Sequence, residues 1–407
     1  MIDLRQHIAP GAGVWWGQAA AEATPLLDAL LDQGIRPGRA FCGVSWHPRL
    51  TAELNLVSYG AMGTLRHVRG LDIVPAHYSA LPRLFAEGLL PRDVGLVQVS
   101  PPDLHGRCSL GIGTDYTADA VRHTRVLLAE INHRMPTTTG SQRIPVDRFA
   151  AVIETDRALP GAPDRVSSVS RETVETGAAG QTPTTPDAAI AHHVADLVAD
   201  GDTIQIGVGA LPAAILDGLA GHRDLGFHSG MLTDGVLDLI DKGVLTGGRK
   251  DIDRGVAITG QAIGSAGLYD RLAGMRIEFR PASYTHDPAV LSRLRRLVSI
   301  NSAIEVDRTG QVNAEVAGTR YLGGIGGQAD FSGAAVRTGA RSIIAVRAKG
   351  IVPSLRGPVT TARADVDVVV TEYGAAELRG RSLSERARRL AAIAAPEHRE
   401  LLTKEDG

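Results

Sequence analysis

The sequence predicts an α/β protein built from two similar open domains, each with a mostly parallel sheet and helices on both faces. The chain has 407 residues, which is too long for one ordinary hydrophobic core. Short apolar runs alternate with stretches of helical spacing, as expected for βα units. A strand, glycine loop and helix also occur twice, since Gly11 and Gly17 have counterparts in Gly201 and Gly207 at an offset of 190 residues (201 − 11 and 207 − 17).

Composition places the chain among ordinary globular proteins, with 43% hydrophobic and 22% charged residues. A net charge of −2 gives no indication of a nucleic-acid partner, and 4% aromatic residues offer few platforms for stacking bases or sugars. Cys42 and Cys108 form neither a disulfide framework nor a zinc motif. The first 17 residues lack the pattern of a signal peptide, and no apolar run approaches membrane-spanning length. A cytoplasmic enzyme is therefore the expected class.

The first domain, residues 1–185, shows one clear buried strand. Val94–Val99 is a continuous apolar run that ends before two prolines. Asp103 and His105 follow it, where α/β proteins usually bind ligands, although His105 is equally explained as a residue that braces the loop. The spacing of apolar residues over Ala118–Ile131 predicts a helix.

A connection between the domains is predicted over Arg157–Thr185, which is rich in Ser, Thr, Pro, Gly and Glu. Thr185 and Pro186 then supply a cap and a first-turn proline for a helix that opens the second domain, residues 186–407. His192 and His193 are adjacent in this helix and point in different directions, which argues against a shared metal ion.

Two glycine loops dominate the second domain. Thr203–Ile206 is predicted as a strand, Gly207–Gly209 as a loop, and Pro212 lies where a helix begins. This arrangement directs backbone N–H groups at an anion or a developing oxyanion. Gly323–Gly327 is the second loop, with four glycines in five residues and a helix predicted to about Thr338.

The other predicted elements of this domain are shorter. Glu305, Asp307 and Glu315 lie on a predicted hairpin, where a metal site is less favoured than solvated carboxylates. The remaining segments comprise strands at Leu225–His228, Gly255–Thr259, Ile277–Phe279, Leu297–Ile300, Ser342–Val346 and Val366–Val370, and helices from Asp234 and over Ser384–Ala395.

Seven sequence blocks, in order along the chain, resemble the acetyl-CoA hydrolase/transferase family, which includes the 4-hydroxybutyrate and succinyl-CoA:acetate CoA-transferases. The blocks are Val99–Gly106, Asn132–Pro136, Gly207–Pro212, Ile304–Asp307 with Gly310–Asn313, Gly323–Phe331, Thr371–Gly374 and Leu378–Gly380. The resemblance implies two similar α/β domains, an acyl-CoA substrate with no metal, and a homodimer. It also implies contacts of coenzyme A with both loops and a basic residue, namely Gly207, Val208, Gly209, Ala210, Leu211, Gly324, Gly326, Gly327 and Lys349.

One position departs from the family pattern. Where the family has His-Ser/Thr-Glu-Met with the glutamate as covalent nucleophile, this chain has His228, Ser229, Gly230 and Met231. Glycine cannot form the glutamyl anhydride on which CoA exchange depends. We expect Gly230 to open space beside the thioester carbonyl for water or another acceptor. His228 is then a candidate general base, Asp234 a helix cap or helper, and Ser229 a structural hydroxyl.

Three functions therefore remain open at the level of sequence. The favoured one is an enzyme that passes an acyl group from CoA directly to water or a small nucleophile. The second is a CoA-transferase with a relocated carboxylate. The third is a catalytically silent protein that binds CoA esters. A small molecule is the expected acceptor in the first two, and no nucleic acid or membrane is expected as a partner.

Overall fold

The structure, a computed structural model, describes residues 2–162, 185–272 and 274–403. It contains two compact units, each discontinuous in sequence. The first comprises the described residues up to 162 together with Gly230–Leu232 and Ile258–Asp287, and the second comprises the other described residues. The predicted division between residues 185 and 186 stays a prediction, and most of the predicted connection lies in residues 163–184, outside the described part of the chain.

A seven-stranded parallel sheet forms the centre of the first unit. Its strands follow the order β11-β9-β7-β1-β2-β4-β6, while β8 pairs with β10 and β3 with β5 beside it. The strands of this part of the chain are β1 (Gly13–Trp16), β2 (Arg39–Phe41), β3 (Val44–Ser45), β4 (Leu56–Ser58), β5 (Met62–Gly63), β6 (Asp72–Ile73), β7 (Val94–Val99), β8 (Arg107–Ser109), β9 (Val126–Asn132), β10 (Arg143–Pro145) and β11 (Ala151–Thr155).

The central strands β1, β7 and β9 of the parallel sheet are buried on both faces, which explains why they are mostly apolar. Successive residues of a strand point to opposite faces. Trp15 accordingly joins one core with Phe41, Phe85 and Tyr116, whereas Trp16 joins the other. The rings of Trp15 and Phe85 are 5.9 Å apart, edge to face.

The second unit has a six-stranded sheet in the order β13-β12-β18-β23-β25-β26, parallel except for the last strand. The β19-β20-β24 sheet and the β21-β22 hairpin accompany it, whereas the β14-β16 pair belongs to the first unit. The strands between residues 185 and 403 are β12 (Thr203–Ile206), β13 (Gly226–Phe227), β14 (Met231–Leu232), β15 (Ala257–Thr259), β16 (Gln261–Ala262), β17 (Ile277–Phe279), β18 (Leu297–Ser302), β19 (Glu305–Asp307), β20 (Val312–Asn313), β21 (Val316–Ala317), β22 (Arg320–Tyr321), β23 (Arg341–Ala345), β24 (Ile351–Val352), β25 (Val368–Thr371) and β26 (Gly374–Glu377). Of these, β17 also lies in the first unit, as does most of β15.

Short helices connect these strands. They are α1 (Thr24–Asp32), α2 (Leu81–Glu87), α3 (Asp115–Val121), α4 (Pro186–Ala195), α5 (Ala210–Gly218), α6 (Asp234–Asp241), α7 (Ala266–Asp270), α8 (Ala282–Thr285), α9 (Pro288–Leu291), α10 (Gln328–Thr338), α11 (Leu383–Ile393) and α12 (Arg399–Thr403). Among the described residues, none of the helices has the length and apolarity that crossing a membrane requires.

The predicted fold class is confirmed, because both units are mixed α/β with mostly parallel sheets. The start of α4 is also as predicted, since the Thr185 hydroxyl accepts a hydrogen bond from the backbone N–H of Ala188 at 3.2 Å. The helix predicted over Ala118–Ile131 is wrong in its second half. Helix α3 ends at Val121, and the apolar run that follows is β9, which is buried between β7 and β11. A short apolar run does not distinguish a buried strand from a helix.

Candidate active site

The segment that carries His228 and Ser229 leaves the end of β13 in the second unit. The backbone N–H of His228 donates to the carbonyl of Ile204 at 3.1 Å, and the Ser229 hydroxyl donates to the carbonyl of Ile206 at 3.1 Å. Both side chains are buried. Ser229 therefore has the structural role predicted for its hydroxyl, which ties the segment to the end of β12.

Gly230 belongs to the first unit, where its backbone is held by β16 and the residue before it. The N–H groups of Gly260 and Gln261 both donate to the Gly230 carbonyl at 3.1 Å, and β14 continues as a parallel pair with β16. Gly230 does not have a positive φ angle. Its lack of a side chain must therefore be explained by its surroundings and not by backbone strain.

The surroundings of Gly230 differ from the expected vacancy. A Cβ atom built on Gly230 would lie 2.8 Å from Cε1 and 2.9 Å from Nε2 of His286. Carbon atoms that are not bonded make their best contact at about 3.5–4.0 Å, so these distances mean overlap. The place of the Cβ atom is therefore overlapped by an imidazole. The expected space is thus not found in the direction of the Cβ atom, since sequence reasoning could not place His286 there, and space beside the thioester carbonyl stays a prediction.

His286 follows α8 and is 3% exposed. Its Nδ1 lies 2.8 Å from the hydroxyl oxygen of Thr285, and its ring lies against Tyr78, with 4.6 Å between ring centroids. A hydrogen bond at one edge and a ring contact on one face fix the imidazole in place. No sequence motif identified this histidine, since only the fold brings residues 230 and 286 together.

A buried polar network lies behind Tyr78. The side-chain amide of Gln18 donates to the Tyr78 hydroxyl at 3.0 Å and to the Asp115 carboxylate at 2.6 Å, and its oxygen accepts from Tyr59 at 2.9 Å. Burial raises the pKa of Asp115 to about 6, against hydrogen bonds from Thr117 and Gln18 that lower it. No sequence motif indicates this network, because its residues are far apart in the chain.

Glu22 is a second buried carboxyl group of the first unit. Its oxygens accept hydrogen bonds from the Ser45 hydroxyl, the backbone N–H of Trp46 at 2.8 Å and the Trp16 ring N–H at 3.2 Å. Burial nevertheless raises its pKa to about 7. A group whose pKa lies near neutrality can hold or release a proton under ordinary conditions.

In the second unit, the first glycine loop follows β12 as predicted. Gly209 has a φ of 124° and caps α5, where Ala210 and Leu211 are the first residues and Pro212 follows. A Cβ atom at Gly207 would meet nothing within 4 Å, and one at Gly209 only a Pro212 atom at 3.9 Å. The loop, including Val208, is partly exposed. Its backbone can therefore be approached closely by a ligand.

The second glycine loop precedes α10, whose start at Gln328 lies close to the predicted one. Gly326 has a φ of 53° and also faces open space, whereas a Cβ atom at Gly323 would lie 2.4 Å from the carbonyl oxygen of Ala314. Gly324 and Gly327 are partly exposed. The glycines of this loop thus differ: Gly323 is needed for packing, and Gly326 for the turn of the backbone.

Helix α10 approaches the end of β13, since Phe331 and His228 have ring centroids 6.4 Å apart. Asp234 is the first residue of α6 and not its cap, a position held by Thr233. Lys349 is exposed on a short 3-10 turn, Ala348–Gly350, and no described contact links it to either glycine loop. The predicted cap role of Asp234 is therefore wrong, and the proposed chemical roles of His228, Asp234 and Lys349 stay predictions.

The hairpin carboxylates are buried and not solvated, which corrects the expectation drawn from sequence. Glu305 pairs with Arg356 at 2.6 Å, Asp307 accepts backbone bonds within its own turn, and Glu315 accepts from the Thr360 hydroxyl at 2.8 Å. Burial acts to raise the pKa of Glu305, but hydrogen bonds from Arg356 outweigh it and leave the pKa below its usual value. Among the described residues, no group of three or more acidic, His or Cys side chains could hold a metal ion.

The Asp103 carboxylate holds the loop after β7 in its conformation. Its carboxylate accepts from the backbone N–H groups of His105 at 2.9 Å and Arg107 at 3.0 Å, and it contacts Arg143 at 2.6 Å. The backbone bonds from Arg107, against some desolvation, lower the pKa of Asp103 to about 2. His105 is exposed, and the loop is braced by Asp103.

Comparison with known proteins settles the family. Residues 69–161 match the acetyl-CoA hydrolase/transferase N-terminal domain, and residues 264–406 match the C-terminal domain of the same family. The 4-hydroxybutyrate coenzyme A transferase of Clostridium kluyveri is 37% identical over 346 residues, covering 82% of this chain and 77% of that protein. The chain belongs to the acetyl-CoA hydrolase/transferase family.

Other members of the family agree with this assignment. The succinyl-CoA:acetate/propanoyl-CoA:succinate CoA transferase of Fasciola hepatica is 35% identical, covering 82% of this chain and 69% of that protein. The crystal structure of RipA from Yersinia pestis is 32% identical with a TM-score of 0.84, covering 98% of this chain and 94% of RipA. The resemblance inferred from the sequence blocks is confirmed, and so is the class of enzyme. CoA thioesters are the substrates of this family.

Proposed function

We propose that this protein transfers the acyl group of an acyl-CoA ester directly to water or to another small nucleophile, without an intermediate on a protein carboxylate. The resemblance implies that Gly230 stands where the family has its glutamate, and one observation supports the proposal: a Cβ atom at Gly230 would lie 2.8 Å from Cε1 of His286. Glycine has no side chain that could act as a nucleophile, and the ring of His286 lies against the place where a side chain of residue 230 would begin.

The second unit supports the binding part of the proposal. Gly207 and Gly209 leave the backbone open at the end of a parallel strand and at the start of α5. The first N–H groups of a helix have no acceptor within that helix and favour negative charge. We therefore assign the acyl-CoA ester to Gly207–Leu211 and to the loop with Gly324, Gly326 and Gly327, with Lys349 as a contact for phosphate.

The main alternative is a CoA-transferase in which a carboxylate elsewhere in the chain acts as the nucleophile. The described carboxylates give little support to this alternative. Glu305 is paired with Arg356, and Asp234 begins a helix that is stabilised by negative charge at that position. Asp115 accepts three hydrogen bonds from neighbouring groups. Each of these carboxylates already has a structural role.

The experiment that tests the proposed function is turnover of a panel of acyl-CoA esters with water, alcohols, amines and carboxylates as acceptors. Release of free thiol, the mass of the product and initial velocities are recorded. The proposal requires thiol release with an acyl product and kinetics of single displacement. Ping-pong exchange between acyl-CoA and a free carboxylate would contradict it, and binding without turnover would identify a silent homologue.

A further inference from the structure

A cavity of about 370 Å³ lies at one edge of the six-stranded sheet of the second unit. Its walls include Arg341 and Val368, which begin the parallel strands β23 and β25, and Asp202, which immediately precedes β12. The antiparallel strand β26 contributes Glu377, its last residue. The cavity therefore lies at the amino-terminal edge of the parallel strands, whereas Gly207–Gly209 follows the carboxyl end of β12. Its volume is within the range of about 300–1,000 Å³ that is usual for small-molecule sites.

The charged residues that line the cavity include more cations than anions. Four arginines lie opposite three carboxylates, which gives a formal charge of +1 (4 − 3), although the whole chain carries −2. The arginines are Arg295, Arg296, Arg341 and Arg379, and the carboxylates are those of Asp202, Asp367 and Glu377. The lining of this cavity therefore attracts anions, in contrast to the chain as a whole.

Two of these arginines are held by carboxylates that are largely buried. Arg296 donates to Asp202 at 3.0 Å. Arg379 donates to Asp367 at 2.8 Å and to the carbonyl of Gly339 at 3.1 Å. The side chains of Asp202 and Asp367 are only 14% and 4% exposed, so these two ion pairs give the cavity fixed walls.

The other two arginines retain N–H groups for a ligand. Arg341 approaches Glu377 only at 3.5 Å, which is long for a hydrogen bond. Within the described part of the chain, Arg295 is bonded through its backbone N–H, to Asp251 at 2.8 Å, and its guanidinium has no partner. Val298 pairs with Arg341 across two adjacent strands, which run about 4.8 Å apart, and Arg295 lies three residues before that pair. A ligand in the cavity can therefore reach both guanidinium groups.

We propose that this cavity binds a small multivalent oxyanion, a compound that carries two or more phosphate or carboxylate groups. The planar guanidinium group donates two parallel N–H bonds to either kind of group, which favours arginine at such sites. A single anionic group gains from one arginine and is repelled by Glu377. A ligand with two groups gains from Arg295 and Arg341 together, so the lining favours a multivalent anion.

This site is separate from the loops to which the acyl-CoA ester is assigned, and it does not depend on the proposed function. The first glycine loop follows the opposite end of β12. The cavity meets Gly339, at the C-terminal end of α10, whereas the second glycine loop precedes the start of that helix. Eleven helical residues separate the two ends, a length of about 16 Å.

The test is isothermal titration of the wild type with inorganic pyrophosphate and with tricarballylate, which carries carboxylates and no phosphate. Arg295→Gln and Arg341→Gln each remove one cation of the cavity. Arg293→Gln is the matched control, because Arg293 is exposed, lies on the same segment and does not line the cavity. Loss of a hydrogen bond to a charged group typically weakens affinity by about 10- to 100-fold. We expect at least about a 10-fold loss in each cavity variant, and affinity within about threefold of the wild type in Arg293→Gln.

Thermal unfolding separates loss of binding from loss of folding. An anion that binds the folded state stabilises it by mass action, so pyrophosphate should raise the Tm of the wild type as its concentration rises. The same increase is expected in Arg293→Gln, and none is expected in the double variant Arg295→Gln/Arg341→Gln. If the double variant does not fold, the two single variants decide the matter.

The outcomes identify the chemistry of the ligand or overturn the site. Tighter binding of pyrophosphate assigns a phosphate compound, and tighter binding of tricarballylate assigns a carboxylate compound. Binding of neither anion to the wild type at about 1 mM, or wild-type affinity in Arg295→Gln/Arg341→Gln, would overturn the proposal. Weaker pyrophosphate binding in Gly207→Val would place the anion at the glycine loop and would also overturn it. Turnover of acyl-CoA esters tests only the proposed function, so the two proposals fail separately.

Discussion

In the first unit, Gly230 faces an imidazole, with Cε1 of His286 2.8 Å from the place of a Cβ atom; in the second, Gly207 faces nothing within 4 Å. Neither residue has a positive φ angle, so neither is a glycine for reasons of backbone conformation. Gly230 makes room for another side chain of the protein, whereas Gly207 leaves its backbone open to a ligand. The same residue type therefore accommodates a neighbouring ring in one unit and leaves open space in the other.

Buried carboxyl groups differ between the units in a similar way. Burial raises the pKa of Glu22 to about 7 in the first unit, whereas hydrogen bonds from Arg356 leave the pKa of Glu305 below its usual value in the second, despite burial. The Arg356 guanidinium stabilises the charged form of Glu305, whereas the hydrogen bonds to Glu22 and the charge of Arg157 do not compensate for desolvation of Glu22. Glu22 and Asp115, whose pKa values burial raises to about 7 and about 6, both lie in the unit that contains Gly230 and His286.

The largest difference in turnover and in the free energy of unfolding is expected between the matched variants Gly230→Ala and Gly207→Ala. Gly230→Ala places a methyl group against the His286 ring, so turnover should fall by about 100-fold as the atoms around residue 230 are displaced. The free energy of unfolding should fall by about 1–3 kcal/mol, a usual cost of overpacking. Gly207→Ala should change the free energy of unfolding by less than about 0.5 kcal/mol. Steady-state kinetics and chemical denaturation measure both.

If Gly230→Ala has the stability of Gly207→Ala, the contact with His286 does not constrain residue 230. A double variant sharpens the result, because Gly230→Ala should be far less destabilising in a His286→Ala background. Independent effects that simply add would show that the two residues are not coupled.

Stability should depend on pH through Glu22. Its pKa is 4.5 in the unfolded chain and about 7 in the folded one, so the folded state holds the proton more tightly. The free energy of unfolding should therefore decrease as pH rises from about 4.5 to about 7, by on the order of 3 kcal/mol for this group. Urea denaturation at about pH 5 and about pH 7 measures the change, and Glu22→Gln should reduce it. An equal pH dependence in that variant would be inconsistent with the buried, protonated Glu22.

Binding should respond to the first glycine loop. Gly207→Val fills open space without straining φ, so the affinity for acyl-CoA should weaken by about 10-fold while the fold is kept. Isothermal titration with a nonhydrolysable acyl-CoA analogue measures it. Unchanged affinity would remove this loop from the binding site.

The smallest effect is expected at Gly326, where φ is 53°. Gly326→Ala should cost about 1 kcal/mol in stability, because side chains disfavour this region of backbone conformation. A loss of affinity in a Gly326 variant is therefore not by itself evidence of a ligand contact, and the matched change at Gly207 is the cleaner probe. Thermal unfolding with and without the ligand analogue separates the two effects.

The sequence was sufficient for the fold class, the family and most elements. The periodicity of apolar residues, the turn and cap residues, and the order of the motifs are all local properties of the chain. Thr185 as a helix cap and the strand at Val94–Val99 are examples. The helix predicted up to Ile131 failed because burial on both faces, a tertiary property, makes a strand look like part of a helix. His286 could not be found from sequence at all, since its importance comes from its distance to Gly230.

The most direct test of the account is made on the unmodified protein during turnover. The protein is incubated with an acyl-CoA ester that it consumes, trapped with borohydride or hydroxylamine, and digested for peptide mass mapping. We predict that no aspartate or glutamate is modified, Asp115, Asp234 and Glu305 included. A modified carboxylate at any position, accompanied by ping-pong exchange of CoA, would contradict the claim that acyl transfer here proceeds without a protein carboxylate.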